Sequence, residues 1–378
     1  MSLRALLIVA VSLIALIAIA LLSQRAPNES PRTDSLFAPE LRARLDEVDS
    51  IVLREANDET VATLNRTEAG WVVAERDNYP ADTTKIRAAL TALADARIVE
   101  AKTANPELHE RLGLSDVSSA DARGVSVTLE PVDPSAPPVI LGDSEGTSYR
   151  YVRRAGEDQT YLIDADPEIS TDTAEWLVPD ILDVSGDRIE RIVIEHADGE
   201  RVEMFKSEVG QSNYEVADVP AGRELQYPGV ANVTGNALRN LRLEDVAARG
   251  ATAPDPEVVT EFTTFDGLIV RAEGLRIDDE GWLAFAARPD TELGDASETT
   301  AAPETDDRDA ADDAGAQGTP DDAAAQPEDT SGDAVDVATE AEQINDRVAG
   351  WRYRIPSYQY SQIARRMDDL LRAEDSTN

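Results

Sequence analysis

One order of strand-like and helix-like segments occurs twice in this chain and restricts the fold more than any other feature. Val48–Arg54 and Val61–Arg66 alternate apolar and polar residues with a period of two, as half-buried strands do. Gly70-Trp71-Val72-Val73 begins a third strand, Asn78-Tyr79-Pro80 breaks it, and Asp82 stands where a helix cap is expected. Ile86, Leu90, Leu93 and Ala94 follow at helical spacing, and Arg97-Ile98-Val99 opens another strand. The order returns with Arg188–His196 and Arg201–Lys206, strands flanking the hairpin signal Asp198-Gly199. Asn213-Tyr214-Glu215-Val216 then takes the place of the Trp71 strand. Pro228 breaks it, Val233, Leu238 and Leu241 are expected on a helix, and Arg242-Leu243 resumes as a strand. Leu93…Arg97-Ile98 and Leu238…Arg242-Leu243 share the spacing L-x-x-x-R-(I/L), so one structural unit is expected to be used twice.

More strands follow each unit: Gly124–Glu130, Val139–Leu141, Tyr149–Arg154 and Thr160–Asp164, then Val258–Phe265, Leu268–Glu273 and Gly281–Ala287, with turns at Asp266-Gly267 and Glu280-Gly281. Trp351–Ile355 forms a last strand. Tyr360, Ile363, Met367, Leu370 and Leu371 are spaced as an amphipathic helix. Short strands with a helix after each group predict an α+β fold: repeated antiparallel-sheet units, each covered by a helix. Residues 288–343 interrupt the second unit. They carry 18 acids against Arg288 and Arg308 and no aromatic residue, too little apolar surface to offset chain entropy, and are expected to be a disordered loop.

Ala5–Leu22 is an uncharged run of eighteen residues in which Ser12 is the only polar side chain. As a helix it is about 27 Å long, close to the hydrocarbon thickness of a bilayer, and a helix satisfies its own backbone there. The competing reading is a signal peptide cut near Ala18-Ile19-Ala20. The run continues through Leu21 and Leu22 and is longer than a usual h-region, which favours a retained anchor. Arg4 and the amino terminus nearly balance Arg25 and Arg32. A short N-terminal tail normally stays in the cytosol, which places the bulk of the chain in the periplasm of a bacterial cell, on a single-pass inner-membrane anchor. The expected organisation is a cytoplasmic tip (1–4), a transmembrane helix (5–22), a tether (23–45), a first α+β region (46–185), a second (186–287 with 344–373), the acidic loop (288–343) and a tail (374–378).

The chemistry-bearing residues are few. No cysteine is present, which removes thiol nucleophiles, disulfides and lipoprotein attachment, and two histidines leave little for a metal site. A net charge of −40 argues against nucleic acid and anionic lipid. Only Lys85, Lys102 and Lys206 are lysine, a pattern consistent with a salty exterior. Gly142-Asp143-Ser144-Glu145-Gly146 fits G-x-S-x-G, but a strand-like segment follows where a nucleophile elbow needs a helix, so a hairpin loop is the simpler reading and a serine hydrolase using Ser144 the minor one. His109 and His196 read as solvated surface residues. The acidic pairs Asp278-Asp279, Asp306-Asp307, Asp312-Asp313 and Asp321-Asp322 miss the calcium-loop register. No phosphate-binding glycine loop occurs. Trp71, Tyr214, Trp282 and Trp351 are expected to fill space between sheet and helix, with a ligand platform as the alternative. No catalytic, cofactor-binding or metal residue is assigned, and no cofactor is expected.

In order along the chain, the N-terminal run, Ile51-Val52-Leu53, Gly70-Trp71-Val72-Val73, Pro80-Ala81-Asp82, Leu112-Gly113-Leu114, Ile140-Leu141-Gly142, Tyr149–Arg153, Thr160–Ile163, Trp351–Tyr358 and Asp368–Leu371 resemble the family catalogued as domain of unknown function 4340. One departure is that Ser115–Arg123 contains no proline after Leu114. The resemblance implies a membrane-anchored protein without an assigned catalytic residue. It also implies ABC-type permease and ATPase subunits as partners, in a system of the gliding-motility or auxiliary-transport type. The expected function is that of a non-catalytic accessory subunit. An extracytoplasmic binding module for a polymer or small ligand is the alternative.

Overall fold

The computed structural model describes residues 34–130, 137–250, 254–290 and 336–373. The chain divides into two compact units, Met1–Val178 and Pro179–Asn378, so the boundary falls a few residues before the expected one at 185.

The first unit is built on β1 (Ser50–Glu55), β2 (Glu59–Thr67), β3 (Gly70–Val73), β4 (Tyr79–Pro80), β5 (Ile98–Ala101), β6 (Val125–Glu130), β7 (Val139–Glu145), β8 (Tyr149–Arg154) and β9 (Thr160–Ile163). They form one antiparallel sheet in the order β4-β3-β2-β1-β6-β7-β8-β9-β5. Alternation sets its register: Ile51 and Leu53 face Leu64 and Ala62 on β2 and Leu129 and Val127 on β6, on one face where all but the half-buried Leu129 are buried. A helix of five residues, α1 (Pro39–Ala43), precedes the sheet. The longer α2 (Thr83–Asp95) begins at the expected cap, where the Asp82 carboxylate accepts the Thr84 and Lys85 N–H groups at 2.9 and 3.1 Å. This helix buries Ile86, Ala89, Leu90, Leu93 and Ala94.

The second unit holds β10 (Asp180–Leu182), β11 (Ile189–His196), β12 (Arg201–Phe205), β13 (Glu215–Val216), β14 (Leu241–Arg242), β15 (Asp245–Ala248), β16 (Val258–Thr264), β17 (Leu268–Ile277), β18 (Glu280–Pro289) and β19 (Trp351–Arg354). Its main sheet runs β13-β12-β11-β16-β17-β18-β19-β15, and β10 pairs with β14 apart from it. The helices are α3 (Asn232–Gly235), α4 (Val337–Val348) and α5 (Ser357–Ile363). α4 packs on β18 and also touches β17 and β10. The Asn345 side chain bonds both to the N–H and to the C=O of Ala287, at 2.9 and 2.7 Å, and Arg188 grips Glu340 at 2.8 Å.

Several expectations are corrected. Residues 34–45 of the expected tether are docked: Asp34 N–H bonds Ile98 O, Ile98 N–H bonds Ser35 O and Phe37 N–H bonds Ala96 O, each at 2.8 Å, while Phe37 and Leu41 are buried. These two apolar side chains were the overlooked signal. The helix expected through Val233, Leu238 and Leu241 is the single turn α3. Gly235 packs against the Tyr214 ring, and Asn240 adopts a positive φ, so the chain turns there and delivers Leu241 to a strand. The C-terminal helix stops at Ile363, and Leu371 instead forms a bridge with Leu225. Both described ends of the 288–343 segment are ordered, because β18 runs to Pro289 and α4 starts at Val337. The β17–β18 turn falls at Asp278-Asp279, with φ of 52° and 66°, and not at Glu280-Gly281, as a tight two-residue hairpin requires.

Among the described residues no helix is long and apolar enough to cross a membrane, and Ala5–Leu22 lies outside them. The remaining tether, the tip (1–4), the tail (374–378) and the interior of the acidic loop also lie outside the described residues.

The second sheet carries ion pairs that make its stability acid-sensitive. Burial alone would raise the Glu203 and Glu273 carboxyls. Hydrogen bonds from Arg201 and Arg191 to the first, and from Arg271 and Arg249 to the second, outweigh it and lower both. A lowered folded-state value means stabilisation that is complete above the unfolded value of about 4.3 and is lost as pH falls through the lower folded values. The urea midpoint of this unit is therefore expected to fall as pH drops below about 4.3, and Glu273→Gln is expected to flatten that decline. An acid limb identical in wild type and variant would contradict the assignment.

Candidate functional site

The chemistry-bearing segments of the first unit gather on β7, β8 and the chain that crosses them. Gly142–Glu145 is strand, with a register irregularity between Leu141 and Ser144, and the turn expected there lies beyond it, starting at Gly146 with φ +73°. Ser144 Oγ accepts a hydrogen bond from Arg150 at 3.0 Å, and Arg150 Nε bonds Asp166 at 2.5 Å. A guanidinium stays protonated, so it cannot act as the base that a serine nucleophile needs.

Gly142 has a different task. A Cβ built there would lie 2.2 Å from Leu112 O, and one at Gly124 would lie 2.3 Å from Gly113 O. Leu112-Gly113-Leu114 therefore lies backbone-to-backbone on the sheet, with Gly113 in the left-handed region at φ +67°. Arg153, 2% exposed on β8, locks this crossing. Its Nε donates to Leu114 O at 3.0 Å, and its other nitrogens bond Glu157 O at 3.1 Å and Asp116 at 2.8 Å.

Both histidines are buried, against expectation. His109 Nε2 lies 2.9 Å from Asp158 O, and His196 Nε2 lies 3.3 Å from Arg365 O. Each sits beside a glutamate in the sequence, and the carbonyls that bond them come from distant segments. The Tyr151 hydroxyl donates to Glu145 at 2.5 Å, which raises its pKa, and the ion pair with Glu100 raises that of Lys102. Both groups therefore hold their protons more tightly than usual, the wrong direction for a general base near neutral pH.

Trp71 and Tyr214 are buried, with the Tyr214 hydroxyl bonded to backbone carbonyls of Gly186 and Ile189, while Trp282 and Trp351 are half-buried. Trp282, Arg249 and Arg352 border a dent of about 20 Å³, room for a single water. Sequence reasoning passed over Trp176, which is 1% exposed and donates its indole N–H to Ser170 O at 3.0 Å. Asp278-Asp279 is a hairpin turn, and the other three acidic pairs lie outside the described residues. Among the described residues no group of three or more side chains is placed to hold a metal ion.

Besides a more open hollow of about 480 Å³ at Val99, Tyr149 and Leu162, the first unit has a groove of about 300 Å³, at the lower limit for small-molecule sites. Phe37, Leu41, Leu93, Val127, Leu129 and Val139 line it, and Glu40, Arg154 and Glu157 are its charged residues. The Arg154 guanidinium stacks on Phe37 at 4.7 Å, donates to Phe37 O at 2.5 Å and stands 3.6 Å from Glu157. Thr128 also borders the groove, although strand alternation turns its side chain to the other face.

These features define an α+β protein of mostly antiparallel sheet, with glycines committed to close backbone packing and an apolar groove on its first unit. A family model described as a domain of unknown function (DUF4340) matches residues 71–261, just over half of the chain, and the chain belongs to that family. The match runs from β3 to β16, so the family-like motifs at Trp351–Tyr358 and Asp368–Leu371 lie beyond it. No curated protein and no solved structure matches the chain.

Proposed function

We propose that this protein is a non-catalytic, single-pass accessory subunit with an extracytoplasmic α+β body, acting with the permease and ATPase of an ABC-type transport or gliding-type envelope system. The observation that carries this reading is the uncharged run Ala5–Leu22 set before two sheet-built units. Supporting it, the Ser144 hydroxyl is held by Arg150, and both histidines bond backbone carbonyls. The resemblance to the family supplies the ABC-type context.

Two measurements test it. In intact cells, protease added from the periplasmic side is expected to digest the body, and purification from native membranes in mild detergent is expected to bring a permease and an ATPase with it. A body shielded from periplasmic protease, or recovery only as a lone monomer, would sink the proposal. A second reading, a binding module for a polymer or small ligand, has the groove in its favour. Trp71 is 6% exposed and covered by Arg66 at 5.2 Å, so it offers no platform for such a ligand.

A further inference from the structure

We infer that the groove of the first unit is the docking site for an amphipathic helix with basic residues from a partner protein. This rests on the accessory-subunit reading and names the surface that reading requires.

Apart from the additional edge strand β4 of the first, the two sheets share one strand order, β3-β2-β1-β6-β7-β8-β9-β5 in the first and β13-β12-β11-β16-β17-β18-β19-β15 in the second. Positions in one can therefore be matched to positions in the other. In the second unit α4 enters between β18 and β19 and lies on β18, β17 and β10. The counterparts of β18 and β17 are β8 and β7. The counterpart of β10 is the segment at Asp34–Phe37, which bonds to Ala96 and to Ile98 at the start of β5, as β10 bonds to β14 just before β15. These three elements contribute Arg154, Val139 and Phe37 to the groove.

In the first unit only Ala155–Gln159 joins β8 to β9, so no helix enters there. The five-residue α1 reaches the same region and leaves the groove beside it. The twelve-residue helix that closes the second sheet thus has no equivalent among the described residues of the first unit.

α4 shows what such a position accepts. It buries Ala341, Ile344 and Val348, the i, i+3, i+7 spacing by which a helix anchors in an apolar groove. Charge then selects the occupant. Glu40 stands exposed at the rim, Glu157 is beside it, and Arg154 is already engaged by Glu157 and by Phe37 O. On a chain of net charge −40 this rim repels an acidic helix and steers a basic one.

The test uses the full chain in phosphatidylcholine nanodiscs and, as probe, a fluorescein-labelled helical peptide of leucine and lysine with leucine at i, i+3, i+4 and i+7, with empty nanodiscs as blank. Saturable anisotropy is expected. Val139→Lys and Glu40→Lys should each weaken binding by about tenfold or more, and Glu208→Lys, at an exposed acid of the second unit, by less than about twofold. Glu40 is exposed on α1, so its variant does not depend on the core tolerating a lysine. Absence of saturable binding, equal weakening by Glu208→Lys, or displacement of the probe by decanoate without salt dependence would overturn the assignment, the last by marking a small-ligand site. Failure here with permease and ATPase still co-purifying removes only the groove assignment. Groove-specific binding without co-purification removes the accessory reading.

Discussion

Gly142→Ala is expected to destabilise the first unit by about 3 kcal/mol, the upper part of the range for overpacking a filled interior. The added Cβ would lie 2.2 Å from Leu112 O and 2.9 Å from Leu114 Cδ2, and the first of these is backbone that cannot rotate away. Relief requires the Leu112-Gly113-Leu114 crossing to lift from β7, and Arg153 holds that crossing down through Leu114 O. At about 2–4 °C per kcal/mol for a unit of this size, the melting temperature should fall by about 6–12 °C. Ser144→Ala, which loses one exposed hydrogen bond, should change stability by less than about 1 kcal/mol. Thermal melts of the two variants decide whether this G-x-S-x-G segment is there for its glycine or its serine. A larger loss from Ser144→Ala would reverse the reading.

Trp176→Ala is expected to cost about 3–5 kcal/mol, as for other large aromatic truncations in filled cores. The ring is 1% exposed, its indole N–H bonds Ser170 O, and Lys85 stacks on it at 5.4 Å. The Trp176 and Val178 backbones also bond Asp82 and Pro80, at the start of α2. Trp282→Ala removes a half-buried ring and should cost about 1–2 kcal/mol. Urea unfolding of both variants measures the difference, and equal losses would contradict the burial assigned to Trp176.

How far these sites could be read in advance depended on distance along the chain. Ile51 with Leu53, and Ile192 with Ile194, announced their strands because a half-buried strand writes its period into neighbouring residues. Asp82 announced α2 for the same local reason. Trp176 sits in a short 3₁₀ turn with no period to reveal it. His109 lies in a short stretch rich in charged residues, and the carbonyl that bonds it belongs to Asp158, far along the chain. Phe37 and Leu41 looked like part of a polar tether because Asp34–Phe37 finds its partners at Ala96 and Ile98. α4 was not anticipated, because its first turn shares the composition of the acidic stretch before it and fell inside the expected 288–343 loop, while its anchors, Ile344 and Val348, come at its end.

Residue order alone determined the alternating centres of strands such as β1 and β11, where Asp82 caps a helix, and that no thiol chemistry is available. Each of these is decided by side chains and dihedral preferences within a few residues. Tertiary structure alone decided that β1 pairs with β6 across the whole intervening helix, that Gly142 must admit a distant carbonyl, and that one face of the first sheet is left as a groove. Those outcomes follow from which distant segments can bury their apolar faces together while satisfying every backbone hydrogen bond, a condition that only the assembled unit imposes.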